Sequence, residues 1–161
     1  MTTVQLDDHG IVMPCSACGQ QNRLAYNSLG SAVRCGKCQQ AIHAPDFPIE
    51  VASAADFDRL VAHASLPIVV DYWAPWCGPC RMVAPELQKV ATRQAGRILV
   101  VKVNTDELAD LGQRFGIMSI PTLAVFSGGR EIRRASGARP ANDIETFVEE
   151  AVASIAGPQP S

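Results

Sequence analysis

Val70-Asp71-Tyr72-Trp73-Ala74-Pro75-Trp76-Cys77-Gly78-Pro79-Cys80 is the stretch that decides the fold of this chain. Its first part belongs to Ile68–Trp73, a near-continuous β-branched and aromatic run of the kind expected for a strand buried on both faces. Beyond Cys77 the period changes to that of a helix reaching about Ala95, with Val83, Leu87, Val90 and Ala91 on one face. Pro79 suits the first turn of that helix, and Pro85, deeper in, should bend it. Cys77 and Cys80 therefore stand one turn apart where a strand gives way to a helix. A helix start offers unpaired N–H groups and the positive end of a dipole. Both favour thiolate, the form that attacks disulfides. A second thiol nearby can resolve the mixed disulfide so formed, and the chemistry implied is dithiol–disulfide exchange.

The flanking sequence extends the pattern in both directions. Upstream, Ile49-Glu50-Val51 reads as a short strand, and Ser53 with Asp56 resembles a capping box. Phe57, Leu60, Val61 and Ala64 then recur at helical spacing. Downstream, Ile98–Val103 is a strand and Asp106–Phe115 is expected to be helical. Thr122–Phe126 and Glu131–Ala135 flank Gly128-Gly129 as a hairpin. Asn142–Ile155 closes the series as an amphipathic helix with Ile144, Phe147, Val148, Ala151 and Val152 inward. The order β-α-β-α-β-α-β-β-α defines an α/β class with helices for both sheet faces.

Residues 1–44 differ in composition. They are rich in Cys, Gln, Asn, Gly and Ser and carry few large apolar residues, so they offer little with which to build a core. Cys15-x2-Cys18 and Cys35-x2-Cys38 have the spacing of a tetra-cysteine zinc site, with Gly19 and Gly36 providing permissive backbone for the turns. Four thiolates form a closed structural site, and metal binding would supply folding free energy to a small zinc-ribbon-like module. Iron suits the same donors, and two disulfides or four free thiols are the alternatives without metal. His43 is a spare ligand for a shell already full, while His9 and His63 have no partner spacing. Ala44-Pro45-Asp46-Phe47-Pro48 reads as a linker, 45–156 as the second domain and 157–161 as a disordered tail.

With 161 residues, 47% hydrophobic and 19% charged, the chain suits one ordinary domain plus a small module. A formal net charge of −2 makes no electrostatic case for nucleic acid or an anionic membrane as partner. Met1–Gly10 lacks the basic-then-apolar succession of a signal peptide, and no apolar run has the length of a membrane helix. The expectation is a cytoplasmic protein, in which paired cysteines signal metal or redox chemistry. Nothing demands more than a monomer.

The quoted stretch, together with Val103-Asn104-Thr105-Asp106 and Ser119-Ile120-Pro121-Thr122, resembles the thioredoxin family over roughly residues 49–155. The cysteine quartet ahead of it resembles the family's zinc-binding thioredoxin 2 subgroup. The resemblance implies a thioredoxin fold, a central mixed sheet flanked by helices. It implies Cys77 as nucleophile and Cys80 as resolving thiol. Asp71, in an otherwise apolar strand, matches the aspartate implicated in proton transfer from the resolving cysteine, and Lys102 its partner lysine; both could instead sit at strand ends in solvent. Pro121 matches the family's cis-proline, with an ordinary trans turn as the alternative. Ile120 is then free to pair its backbone with an extended substrate. Trp76, Gly78, Pro79 and Gly137 complete the substrate-binding set, with Gly116, Ile117 and Ala138 on the rim. Trp73 reads as packing, and Arg130, Arg133 and Arg134 as a solvated strand face. Arg81 departs from the lysine common in the family but keeps the charge.

By the same resemblance, Gly-Pro between the cysteines goes with reductants. The function implied is protein-disulfide reductase, restored by an NADPH-dependent flavoprotein, thioredoxin reductase, with one structural zinc and no organic cofactor. A zinc-gated redox sensor or redox-regulated chaperone is the alternative of a different class. An oxidase or isomerase is disfavoured by Pro79.

Overall fold

A computed structural model describes residues 4–156; the tail called disordered, 157–161, lies outside the described residues. Five short strands come first: β1 (Gln5–Leu6), β2 (Gly10–Pro14), β3 (Gln21–Ala25), β4 (Val33–Arg34) and β5 (Ala41–Ile42). Then follow β6 (Ile49–Glu50), α1 (Ala54–His63), β7 (Ile68–Trp73), α2 (Gly78–Arg93), β8 (Leu99–Asn104), α3 (Ala109–Arg114), β9 (Thr122–Ser127), β10 (Arg130–Ser136) and α4 (Ala141–Ala156).

β7 is the centre of a five-stranded mixed sheet of order β10-β9-β7-β8-β6. It runs parallel to β8 and antiparallel to β9, and β6 joins the far side of β8 in parallel. The β9–β10 hairpin turns through Gly128 and Gly129 at φ 61° and 86°, a pair of positive values that suits glycine. Because strand side chains alternate, β7 serves two cores. Val70 and Tyr72 join Phe57 and Leu60 of α1, Leu111 of α3 and Phe126. Val69 joins Val83, Leu87 and Val90 of α2 and Ile144 and Val148 of α4 on the opposite face. Asp71 shares the register of that second face.

Two helices show why their ends lie where they do. The Ser53 hydroxyl accepts the N–H of Asp56 (3.1 Å) and caps α1. α3 starts later than the sequence suggests: Asp106–Leu108 is not helical. There the Asn104 side chain accepts the N–H of Asp106 (2.9 Å), and the Asn104 carbonyl accepts that of Leu108 (2.8 Å). Asn104 thus offers the backbone a local alternative to the helix.

The N-terminal segment departs from expectation. Ile11, Leu24, Tyr26, Leu29 and Ile42 are buried, in the same core as Ile49, Phe57 and Leu60. β1-β2-β3 form an antiparallel sheet, and β4-β5 a second ribbon. Few apolar residues suffice because α1 and its following loop complete their burial. The Ser65 N–H donates to the Tyr26 carbonyl (2.9 Å), and the Tyr26 and His63 rings stack with centroids 6.0 Å apart. Residues 44–48 are likewise pinned. Ala44 and Pro45 are buried, and the Asp46 carbonyl accepts from Gln88 and Thr92 of α2 at 3.2 Å each. Gly10 lies so close to Leu24 that a side chain there would collide with the Leu24 carbonyl.

Candidate active site and cysteine cluster

Cys77 is the residue before the first turn of α2, and its sulfur accepts the N–H of Cys80 (3.2 Å). The cap is thus made by the side chain whose charge a helix start stabilises. Cys77 and Cys80 are joined as a disulfide across a Cα–Cα distance of 5.2 Å, and both are nearly buried. Pro79 stands in the first turn, where its missing N–H costs nothing, and α2 continues through Pro85 to Arg93. The Ile120–Pro121 peptide bond is cis, and the Ile120 carbonyl lies 3.8 Å from the Cys77 sulfur. Gly137, at φ 97°, donates its N–H to the Pro121 carbonyl (2.9 Å). The Thr122 hydroxyl donates to the Ser119 carbonyl (2.6 Å) and fastens the loop from the other side.

Asp71 is fully buried, and neither carboxylate oxygen has a hydrogen-bond partner. Burial drives its carboxyl up to about 7; Lys102 opposes the rise and Glu50 adds to it. Lys102 is the Cα partner of Asp71 across β7 and β8, and its ammonium sits 4.5 Å above the Trp73 ring. Asp71 and Lys102 therefore lie within the sheet rather than at solvated strand ends.

A groove of about 710 Å³ opens beside the cysteines, lined in part by Trp76, Gly116, Ile117, Met118 and Ile120. Trp76 is 67% exposed and Met118 94%, an apolar surface unusual for a protein with no use for it. The Trp76 indole donates to Asp106 (3.3 Å), which orients the ring. Gly137 and Ala138 do not line this groove, and Ala138 and Met82 line a separate hollow. Met82, Met118 and Asp106 were missed by sequence reasoning. Met118 directly precedes the Ser119-Ile120-Pro121 run, but no periodicity marks an exposed loop methionine. Arg134 does not stand free in solvent: it pairs with Glu131 (2.6 Å) and donates to the Phe115 carbonyl (2.7 Å).

The four N-terminal cysteines converge, with all sulfurs within 4.8 Å of one another. Cys15–Cys38 and Cys18–Cys35 sulfur distances are both 3.6 Å. Zinc–sulfur bonds of about 2.3 Å in a tetrahedron place sulfurs about 3.8 Å apart, so the set fits such an ion. Both knuckles have one plan. Cys15 N–H donates to the Gln20 carbonyl and Cys35 N–H to that of Gln40, each at 2.8 Å. The turn is completed by Gly19 at φ 80° in one knuckle and by Gln39 at φ 68° in the other. The left-handed position of the second knuckle is therefore Gln39 and not Gly36. Backbone N–H groups of Cys18 and Ala17 hold the Cys15 thiol below its usual range, and those of Cys38 and Lys37 bring Cys35 to about 6. His43 is outside this cluster.

This arrangement is that of a thiol–disulfide oxidoreductase: a capped, nearly buried cysteine pair facing a cis-proline loop on a mixed sheet. The Thioredoxin family model matches residues 48–150. Thioredoxin 1 of a Nostoc species is 46% identical over 94 residues, covering 58% of this chain and 88% of its own. Thioredoxin C-3 of Corynebacterium nephridii is 33% identical over 140 residues, covering 87% of this chain and 94% of its own. Among solved structures, a mutant thioredoxin from Halobacterium salinarum superposes with a TM-score of 0.62 at 26% identity, over 68% of this chain and 95% of that one. The chain belongs to the thioredoxin family.

Proposed function

We propose that the chain is a protein-disulfide reductase of the zinc-binding thioredoxin 2 type, working in the cytoplasm as a monomer. The observation that carries the reading is the Cys77 sulfur, held at the start of α2 by the Cys80 N–H and faced by the Ile120 carbonyl. In the reduced protein the Cys77 thiolate attacks one sulfur of a substrate disulfide. The other sulfur leaves as a thiolate, and a mixed disulfide remains. Cys80 gives up its proton and attacks the Cys77 sulfur. The substrate departs reduced, and the Cys77–Cys80 disulfide carries the two electrons' worth of oxidation. Asp71 is the acceptor for the Cys80 proton, since a carboxyl with a pKa of about 7 changes charge near neutral pH. Lys102 limits how far that value rises.

The groove walled by Trp76, Met118 and Ile120 receives the substrate chain, and Gly78, Pro79, Pro121 and Gly137 complete the substrate-binding set. Thioredoxin reductase, drawing on NADPH, would return the electrons. Cys15, Cys18, Cys35 and Cys38 would hold one zinc ion, which supplies a structural cross-link between the two knuckles. We take residues 1–44 as the metal-binding module, 45–156 as the redox domain and 157–161 as a tail. Neither nucleic acid nor membrane enters this reading, and no helix among the described residues is long and apolar enough to cross a membrane.

The test uses two variants of the full chain with a disulfide-bonded protein substrate. Cys77→Ser should abolish reduction, and Cys80→Ser should accumulate a mixed disulfide through Cys77, visible by mass. Both should retain one zinc per chain. A mixed disulfide through Cys80 in Cys77→Ser, formed as fast, would overturn the assignment of roles.

A further inference from the structure

Glu50, Lys102 and Asp71 lie on three adjacent strands. Lys102 is the Cα partner of Glu50 on β6 and of Asp71 on β7, so one ammonium stands between two carboxylates. Among the described residues it makes an ion pair with neither. Both oxygens of Asp71 lack a partner, so Lys102 makes no ion pair with it. The ammonium instead rests 4.5 Å above the Trp73 ring. That ring is fixed by its own N–H, which donates to the Glu50 carboxylate at 3.1 Å. Glu50 thus holds the platform on which Lys102 sits and adds a negative charge on the side away from Asp71.

We propose that Glu50 is a positioning residue for disulfide exchange: its charge, with the Trp73 platform it fixes, holds the Lys102 ammonium short of an ion pair with Asp71 and leaves the Asp71 carboxylate able to take a proton. The inference rests on the reading of Asp71 as the proton acceptor. Few other charges compete. β9 places Leu123 opposite Asp71. The buried positions of α2 are Cys80, Val83, Leu87, Val90 and Ala91, of which Cys80 alone titrates, and only when reduced. Glu107 acts on Glu50 rather than on Asp71. The two neighbouring charges act on Asp71 in opposite directions, Lys102 lowering its pKa and Glu50 raising it.

The experiment is Glu50→Gln in the full chain, in the native and the Lys102→Met backgrounds. The glutamine amide oxygen can still accept from Trp73, so the indole keeps its acceptor while the charge is lost. The readouts are the carboxyl-carbon NMR titration of Asp71 and the pH profile of disulfide reduction. In the native background the Asp71 midpoint should fall by about one pH unit, as for a carboxylate gaining a nearby cation. With Lys102→Met already present, Glu50→Gln should move it by less than half as much. An unmoved or raised midpoint would overturn the proposal, as would an equal shift in both backgrounds. A shifted Asp71 titration with an unshifted rate profile would uphold the Glu50 assignment and refute Asp71 as the proton acceptor.

Discussion

Leu24→Ala is a change in the N-terminal segment whose effect should be read in the redox domain. Leu24 is fully buried on β3, within the core that also holds Ile49, Phe57 and Leu60. Truncating a buried leucine removes transfer free energy and leaves a cavity, together about 2–5 kcal/mol. Taking about 3 kcal/mol, a chain of this size should lose roughly 6–12 °C in Tm. Both tryptophans of the chain, Trp73 and Trp76, lie outside residues 1–44. Their fluorescence therefore reports unfolding of the redox domain alone. If the core is one cooperative unit, the fluorescence midpoint should fall by the full amount, together with the midpoint for release of the proposed zinc. A zinc-release midpoint that falls while the fluorescence midpoint stays put would refute the shared core and leave two independently melting parts.

Asp71 should make stability depend on pH. Its folded pKa is raised from 3.8 to about 7, so between those values the native state binds a proton that the unfolded state has lost. Stability should therefore fall as pH rises from about 4 to 7, by on the order of 4 kcal/mol if this group acts alone. Urea midpoints at several pH values should show the decline, and Asp71→Asn should flatten it. Gln39→Gly should stabilise the second knuckle: relief of a left-handed non-glycine residue, about 1–2 kcal/mol, exceeds the added chain entropy of about 0.4–1 kcal/mol. A higher urea midpoint for the zinc-loaded chain would be the sign. Trp76→Ala with Met118→Ala should weaken reduction of a protein disulfide at least tenfold, but that of a small aromatic disulfide much less, as measured by kcat/KM for the two.

The sequence carried most of the redox domain because its signals are local. Ile68–Trp73 is buried on both faces and reads so, and Ser53 caps α1 as its spacing suggests. Cys77 and Pro79 mark the start of α2 unaided. The N-terminal strands were illegible because their core is borrowed: Ile11 and Leu24 look sparse until α1 covers them. Gln39 was missed because left-handed backbone is sought at glycine, whereas here the knuckle's hydrogen bonds impose it. Glu50 was missed for a third reason. Its meaning lies in register across β6, β8 and β7, which no spacing along the chain encodes.

The shared core also sets an order of events during synthesis. Ile11, Leu24 and Ile42 leave the ribosome before Phe57 and Leu60, whose side chains they need. At about 5–20 residues per second, the delay from Ile11 to Leu60 is roughly 2–10 s. During that interval the nascent segment has paired cysteines but an uncovered apolar face. Closure of the knuckles depends on residues 15–40, all made before α1, so metal capture can precede burial. If the four cysteines hold zinc as proposed, a cell short of that metal would prolong the exposure of this face and direct the newborn chain toward chaperones, although the finished redox site holds no metal ligand of its own.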